Sequence, residues 1–207
     1  IYKNYIKIRA SFLFSNKKID ELLKKKFNWI KKNLAIQQNI LSSIKKKYIN
    51  GEEFKYLGKT YILKIIKDKN YNVKIKDNLL IVTTKNTEDI IKIRRLIGKW
   101  FHEKSAVYFN RQTLFYAKEN KIKVAAIKIR EYKSRWGSCS IDSIITFNWR
   151  LIMAPPHVIK YVIIHELMHI KEYNHSPEYW RLVESLYPNK KKAQNWLIYN
   201  GKTLTIN

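Results

Sequence analysis

The chain has 207 residues and is strongly basic, since 42 Lys and Arg against 16 Asp and Glu give a formal net charge of +26. Hydrophobic side chains make up 45% of it while Gly and Pro number only 5 and 4, a composition that excludes extended disorder and supports one sizeable core or two small ones. No apolar run reaches the roughly 20 residues that a membrane helix needs, and a single cysteine excludes an internal disulfide and fits the reducing cytoplasm, where we expect this protein.

The first part of the chain predicts a long helix and then a small sheet. Apolar residues recur near helical spacing in residues 17–49. Residues 61–66 and 71–83 have β-rich, alternating patterns, and Lys76-Asp77-Asn78 in the second pattern is a turn signal. We therefore expect two or three antiparallel strands after the helix, in a basic N-terminal region of residues 1–85.

The second part, residues 86–207 beyond a soft boundary, predicts helices around two strands. Thr87 is the expected N-cap of a long helix because acidic residues follow it in the first turn. Residues 128–132 and 144–149 have strand patterns on either side of a loop. Pro155-Pro156 begins the next helix, at a position where proline removes no hydrogen bond.

The helix after Pro156 contains the segment His165-Glu166-Leu167-Met168-His169. Two histidines four residues apart project from one face of a helix and can ligate the same tetrahedral cation. Glu166 is about 100° further round the helix, so it does not bind the metal but can take a proton from a water that the metal holds. The surrounding residues 158–170 are apolar, and buried His and Glu are rare unless they are paired or metal-bound. The segment therefore predicts a metal site with Glu166 as general base.

A third ligand is expected where this helix ends. Asn174 tolerates the left-handed backbone conformation of a helix C-terminus, so the chain can turn back there and present His175 to the first two histidines. Ser176 then caps a further helix, which holds His175 at a corner between two helices. A single histidine is more often an ordinary core or surface residue, but three in one window predict one zinc ion per chain on His165, His169 and His175, with a fourth position left for water.

Several segments around this site carry a family resemblance. They are residues 134–140 (SRWGSCS), 147–151 (FNWRL), 161–162 (YV), 165–169 (HELMH), 174–176 (NHS) and 179–180 (YW). Together they resemble the YgjP-like metallopeptidase domain, which implies an α+β fold with a zincin-like metallopeptidase core, the HExxH helix lying under a small antiparallel sheet, together with an N-terminal helix and a small β-region. The resemblance also implies a relation to SprT-like and WLM zincins, with the three histidines as zinc ligands and Glu166 as the catalytic carboxylate. Unlike many SprT-like proteins, the chain has no cysteine-rich zinc ribbon.

The loop between the two strands of the second part has two interpretations. Trp136 could belong to the core and Gly137 could meet a backbone requirement, whereas Arg135, Ser138 and Cys139 could line the cleft. We do not expect Cys139 to bind zinc or to act as a nucleophile, because no sequence feature marks it as a thiolate.

The sequence favours peptide bonds as the substrate, with an activated water as the nucleophile. By analogy with zincins, the strand of residues 144–149 could be an edge strand that pairs with an extended substrate. Tyr173 and Tyr179 are near the site in sequence and are weak candidates for stabilising the oxyanion.

Two other functions are open at this stage. The same water could attack a phosphoanhydride, which would make the protein a metal-dependent nucleotide phosphohydrolase. Alternatively, residues 1–133, with 33 basic and 11 acidic residues, could bind nucleic acid without sequence preference, so that the protein is a nucleic-acid-associated binding protein with a zincin domain. Lysine on an ordinary solvated surface also explains the charge, because arginine, which reads phosphates and bases best, is sparse.

Overall fold

The fold is mixed α+β. The computed structural model describes residues 15–44 and 46–206, which form five α-helices, seven β-strands and two short 3₁₀ helices. Predictions that fall on residues 1–14, 45 and 207 lie outside this part of the chain. None of the helices in the described part is long and apolar enough to cross a membrane.

The chain divides into two compact units. Helix α1, Asn16–Ile44, belongs to the first unit and ends before the predicted helix of residues 17–49 does. Lys46–Ile206 form the second unit, which contains all the described strands and the other described helices. The division into domains of residues 1–85 and 86–207 stays a prediction.

The first sheet has four strands in the order β1-β2-β4-β3. Its strands are β1, Glu53–Tyr56; β2, Lys59–Lys67; β3, Asn72–Lys76; and β4, Leu79–Thr84. The predicted antiparallel pairing is right for β3 with β4, where Asp77 has a φ of 55° in the predicted turn. Strand β1 lies outside the predicted strands and pairs antiparallel with β2. The predicted pairing is wrong for β2 and β4, which run parallel with Leu63 opposite Leu80. Side chains alternate in both kinds of sheet, so the alternation could not reveal strand direction.

Helix α2, Ile90–Glu119, packs against the first sheet and against the helix that follows the second sheet. Its buried residues are Ile93, Ile97, Trp100, Phe101, Ser105, Phe109, Thr113 and Ala117. Asp89, not the predicted Thr87, is the N-cap, since its side chain accepts a hydrogen bond from the backbone N of Lys92 at 2.9 Å. Aspartate and threonine are both good caps, so the position at which the chain enters the helix decides between them.

The second sheet has three strands in the order β5-β7-β6. They are β5, Ala126–Arg130; β6, Gly137–Cys139; and β7, Ile144–Asn148. The antiparallel sheet that the resemblance implied is instead mixed, because β5 runs parallel to β7 while β6 runs antiparallel to it. The prediction that residues 144–149 form an edge strand is wrong, since β7 is central and β6 is an edge. With three residues, β6 is too short to produce an alternating pattern in the sequence.

Helix α3, Pro156–Met168, lies in the core of the second unit. It begins at Pro156 as predicted, and nine of its thirteen residues are buried. It contacts α2, the edge strand β6 and the two helices that follow, α4 (Pro177–Leu186) and α5 (Lys190–Asn200). The predicted metal segment is therefore held inside the core and next to a sheet edge.

The turn between β1 and β2 contacts the segment that leads into α3. The backbone N of Leu57 donates to the carbonyl O of Ile152 at 2.8 Å, and the backbone N of Gly58 donates to the carbonyl O of Met153 at 3.2 Å. Gly58 has a φ of 76°, and a Cβ on it would lie 2.8 Å from the Cα of Pro155. Only glycine fits this position, so the turn approaches the start of α3 closely.

Candidate metal centre

The three predicted ligands come from two adjoining elements. His165 lies in the last turn of α3, and His169 follows the helix with a helical backbone (φ −63°, ψ −19°). His175 lies in the turn to α4, whose N-cap is Ser176 as predicted, because the Ser176 Oγ accepts from the backbone N of Tyr179 at 3.1 Å. The structure thus brings the three histidines together.

The turn before His175 is formed differently from the prediction. Asn174 is not among the described residues with a positive φ, so the expected left-handed conformation is wrong. Its backbone N donates to the Oε1 of Glu172 at 3.2 Å, and its carbonyl O accepts from the backbone N of Ser176 at 2.7 Å. These hydrogen bonds reverse the chain, so a left-handed residue is not needed.

One ring nitrogen from each histidine lies within 4.8 Å of the other two. The Nε2 atoms of His165 and His175 are 3.3 Å apart. Two nitrogens bound to a tetrahedral zinc ion at about 2.0–2.1 Å lie about 3.3 Å apart, so the spacing fits a shared cation. The Nδ1 of His169 is 3.2 Å from the carbonyl O of Glu172, which leaves its Nε2 to bind a metal.

Burial favours the neutral form of His165 and His169. Burial and, to a lesser degree, the charges that protonated His169 and His175 would carry together lower the pKa of His165 to about 3. Burial also lowers the pKa of His169, although a hydrogen bond to the backbone of Glu172 opposes this effect. A neutral imidazole offers the lone pair that a metal requires, so His165 and His169 can bind a cation without first releasing protons near neutral pH.

Glu166 is a carboxylate buried next to the histidines, with 4% of its surface exposed. Burial raises its pKa to about 8, and the positive charge of Arg135 opposes this shift. The backbone of β6 lies directly against the carboxylate, because a Cβ on Gly137 would be 2.7 Å from its Cγ and 2.8 Å from its Cδ. Because Gly137 has no side chain, there is space for the Glu166 carboxylate. A metal ion nearby would lower the pKa of Glu166 again, since positive charge favours the ionised form.

Aromatic rings enclose the histidines on the side of α4. Tyr179 is fully buried, its hydroxyl donates to the carbonyl O of His165 at 2.9 Å, and its ring stacks on His169 with centroids 4.4 Å apart. The ring of Trp180 stacks on His175 at 5.4 Å. The sequence analysis did not predict this contact. The stacking of Trp180 on His175 is hard to predict from sequence, because His175 lies before the helix that contains Trp180.

The other candidates from the sequence are less suited to chemistry. The Tyr179 hydroxyl already donates to a backbone carbonyl, and Tyr173 is 46% exposed. Cys139 is half-buried, and burial together with the charge of Glu166 raises its pKa to about 11, so the thiol stays protonated. Trp136 packs, partly buried, against the core.

Comparison with known proteins gives one match over nearly the whole chain. A family model described as "YgjP-like, metallopeptidase domain" matches residues 1–200. No curated protein matches the chain. Among solved structures, the crystal structure of the metallopeptidase zymogen of Pyrococcus abyssi abylysin is similar at 21% identity and a TM-score of 0.41, over 44% of this chain and 93% of that one. The family match, and not this distant likeness, bears on the chemistry.

Proposed function

The chain belongs to the YgjP-like metallopeptidase family, and from this premise we propose that it is a zinc peptidase with a zincin-like core. In this proposal His165, His169 and His175 hold one zinc ion per chain, and Glu166 is the general base. The observation that carries it is the convergence of three imidazole nitrogens beside a buried carboxylate.

The donor set favours zinc. Imidazole nitrogens suit zinc and other late first-row metals, whereas calcium and magnesium prefer oxygen ligands. Three protein ligands leave a fourth position open, which is the arrangement of catalytic rather than structural zinc. The stacked rings of Tyr179 and Trp180 hold His169 and His175 in place, so the ligands need little rearrangement on binding.

A zinc ion at this position supplies a Lewis acid that polarises the scissile carbonyl and makes a water nucleophilic near neutral pH. Glu166 takes the proton of that water and passes it to the leaving amine. A buried carboxylate suits this task, because the low local polarity raises its proton affinity toward the working pH. Gly137 leaves space for the carboxylate, since a Cβ at this position would lie 2.7 Å from the Glu166 Cγ.

An extended peptide has a place to bind at β6. Within the described residues this strand pairs with β7 alone, so its other edge can add a substrate strand. The contact between Gly137 and Glu166 puts that edge beside the catalytic carboxylate. This arrangement supports a peptide substrate over the alternative nucleotide substrate. The cytoplasmic location and the nucleic-acid binding by residues 1–133 stay predictions.

Metal analysis tests the ligand assignment. The purified protein should contain about one zinc ion per chain, and His175→Ala should lose most of it. His157→Ala is the matched control, because His157 is an exposed histidine at the start of α3 and should leave the zinc content unchanged. If His175→Ala kept its zinc while Glu172→Ala or Glu178→Ala lost it, the third ligand would be misassigned.

A parallel screen tests the reaction. The zinc-loaded protein is incubated with unfolded proteins and with nucleoside triphosphates, and both sets of products are measured. We expect new peptide termini and no release of phosphate or pyrophosphate. Hydrolysis of the nucleotides alone would replace the peptidase with the phosphohydrolase.

A further inference from the structure

Arg135 lies on a loop that one buried residue holds in place. Asn148 is 3% exposed, and its Nδ2 donates to the carbonyl O of Tyr132 at 3.0 Å and to that of Arg135 at 3.2 Å. The backbone N of Asn148 also donates to the carbonyl O of Trp136, at 2.9 Å. The three hydrogen bonds fix the backbone on both sides of Arg135, so the root of its side chain has a defined position.

The guanidinium of Arg135 is exposed and has no acidic partner among the described residues. By contrast, Arg150 pairs with Glu131 at 2.8 Å and Arg181 pairs with Glu178 at 2.7 Å. The guanidinium carbon of Arg135 lies 5.5 Å from the centroid of the Tyr132 ring. A cation on an aromatic face keeps its hydrogen-bond donors available to another group.

Arg135 immediately precedes the segment that contacts the candidate catalytic carboxylate. Gly137, two residues further along, is the residue whose backbone lies against Glu166, and the Tyr132 hydroxyl is 3.0 Å from the Oγ of Ser138 in β6. Arg135 therefore lies at the edge where an extended substrate would bind.

A fixed, unpaired arginine beside a cleft is suited to binding an anion. The planar guanidinium forms two parallel hydrogen bonds with a carboxylate or phosphate, and a loop that is already ordered loses little entropy when it does so. We propose that Arg135 binds an anionic group of the substrate, so that the protein selects peptides with a carboxylate or phosphate near the scissile bond. This selection rests on the proposed peptidase function.

The test uses sets of three short peptides that are identical except at one position, which holds Glu, phosphoserine or Gln. The varied position is moved along the peptide from one set to the next. The wild type should show a kcat/KM about 10-fold or more higher for the charged peptides, the order of magnitude of a charge-assisted hydrogen bond. Arg135→Gln should bring this ratio to about 1 by raising KM for the charged peptides alone, because only binding is lost. Arg135→Lys should keep part of the preference, since it retains the charge but not the bidentate geometry.

Lys133→Gln is the matched control, because it removes an exposed cation of the same loop and should keep the full preference. Glu and phosphoserine peptides distinguish the two sources of negative charge. An equal preference in the wild type and in Arg135→Gln would overturn the proposal. Equilibrium binding of the same zinc-loaded variants to the same peptides gives a second readout. If no peptide were hydrolysed, the peptidase proposal would fail, and the binding ratio would still decide the role of Arg135.

Discussion

The two small sheets of the second unit differ in the side chains that they bury and expose. The first sheet has an apolar inner face, with lysines at exposed positions of its strands, among them Lys55, Lys64, Lys74 and Lys76. The second sheet has buried polar residues in its central strand, Thr146 and Asn148, and its edge lies against buried Glu166. Both sheets combine parallel and antiparallel strands, so topology does not distinguish them.

The contrast shows that charge count and chemistry are separate signals. The first 133 residues carry a net charge of +22, whereas the segment with the histidines, residues 134–207, carries only +4. Exposed lysines cost little folding free energy, so their number does not indicate a function. Burying Glu166 and His169 away from water is unfavourable unless they have a partner, so these few residues locate the site better than the many basic ones.

The largest expected effect is a loss of turnover when the buried acid beside the second sheet is replaced. An exposed acid of the first sheet is the comparison. Glu166→Gln keeps the size of the side chain but cannot accept a proton, so turnover should fall by roughly 10² to 10⁴ fold. Glu53→Gln, at an exposed position of β1, should leave turnover unchanged. Zinc content and turnover are measured on the same samples. Retained turnover would remove Glu166 from the mechanism, and lost zinc would make it a ligand.

Two glycines give the next comparison. Gly137→Ala puts a methyl group into the space of Glu166, so turnover should fall on the order of 10² fold, the cost of a displacement of about 1 Å at a catalytic group. Gly51→Ala meets no atom within 4 Å but must adopt a φ of 87°, so it should cost about 1–2 kcal/mol of stability and no turnover. Urea unfolding and turnover separate the two effects. Equal turnover in both variants would contradict the spatial role of Gly137.

Cys139 reports on the polarity of the cleft. Its raised pKa predicts that, after removal of metal, iodoacetamide reacts at pH 8 about 100-fold more slowly than with the urea-unfolded chain. Because the folded pKa of about 11 exceeds the thiol's ordinary value of 9.0, the protonated thiol stabilises the fold below pH 9, and this contribution is lost between pH 9 and 11. The alkylation rate of the folded protein should therefore keep rising above pH 9. A rate that levels off there would mean that the thiol is not desolvated.

The smallest effect is expected when the hydroxyl of Tyr179, next to the histidines, is removed. Tyr179→Phe keeps the stacked ring but removes the donor to the carbonyl O of His165, which should cost about 1 kcal/mol of stability. Zinc content should not change, because the ligands themselves are untouched. Tyr199→Phe, at a position that is 76% exposed, is the control and should leave the urea midpoint where it is. A large loss of zinc in Tyr179→Phe would mean that the hydroxyl sets the ligand geometry.

Local features of the candidate site could be predicted from sequence. The spacing of His165, Glu166 and His169 follows from one helical repeat, and the start of α3 at Pro156 and the cap at Ser176 follow from single residues. The corner at His175 was expected for the wrong backbone reason, yet short-range hydrogen bonds still placed it beside the other histidines. Such features depend on neighbours within about one turn of the chain.

Strand order and direction could not be predicted in the same way. The parallel pairing of β2 with β4 and the central position of β7 depend on contacts between distant segments, which side-chain alternation does not encode. Strand β6 is three residues long and contains a glycine, so it was read as part of a loop. The contact between Gly137 and Glu166 depends on that strand, and no periodic pattern records it.

The hydrogen bonds from Leu57 and Gly58 to the segment before α3 bear on how the protein can be shortened. A fragment that began after the first sheet would lack both donors, and the carbonyl groups of Ile152 and Met153 would lose their partners before the start of α3. Buried acceptors without partners cost about 1–3 kcal/mol each, a large share of the stability of a small domain. The β1–β2 hairpin and α3 therefore have to be kept or removed together when the protein is shortened, although the hairpin contributes none of the proposed site residues.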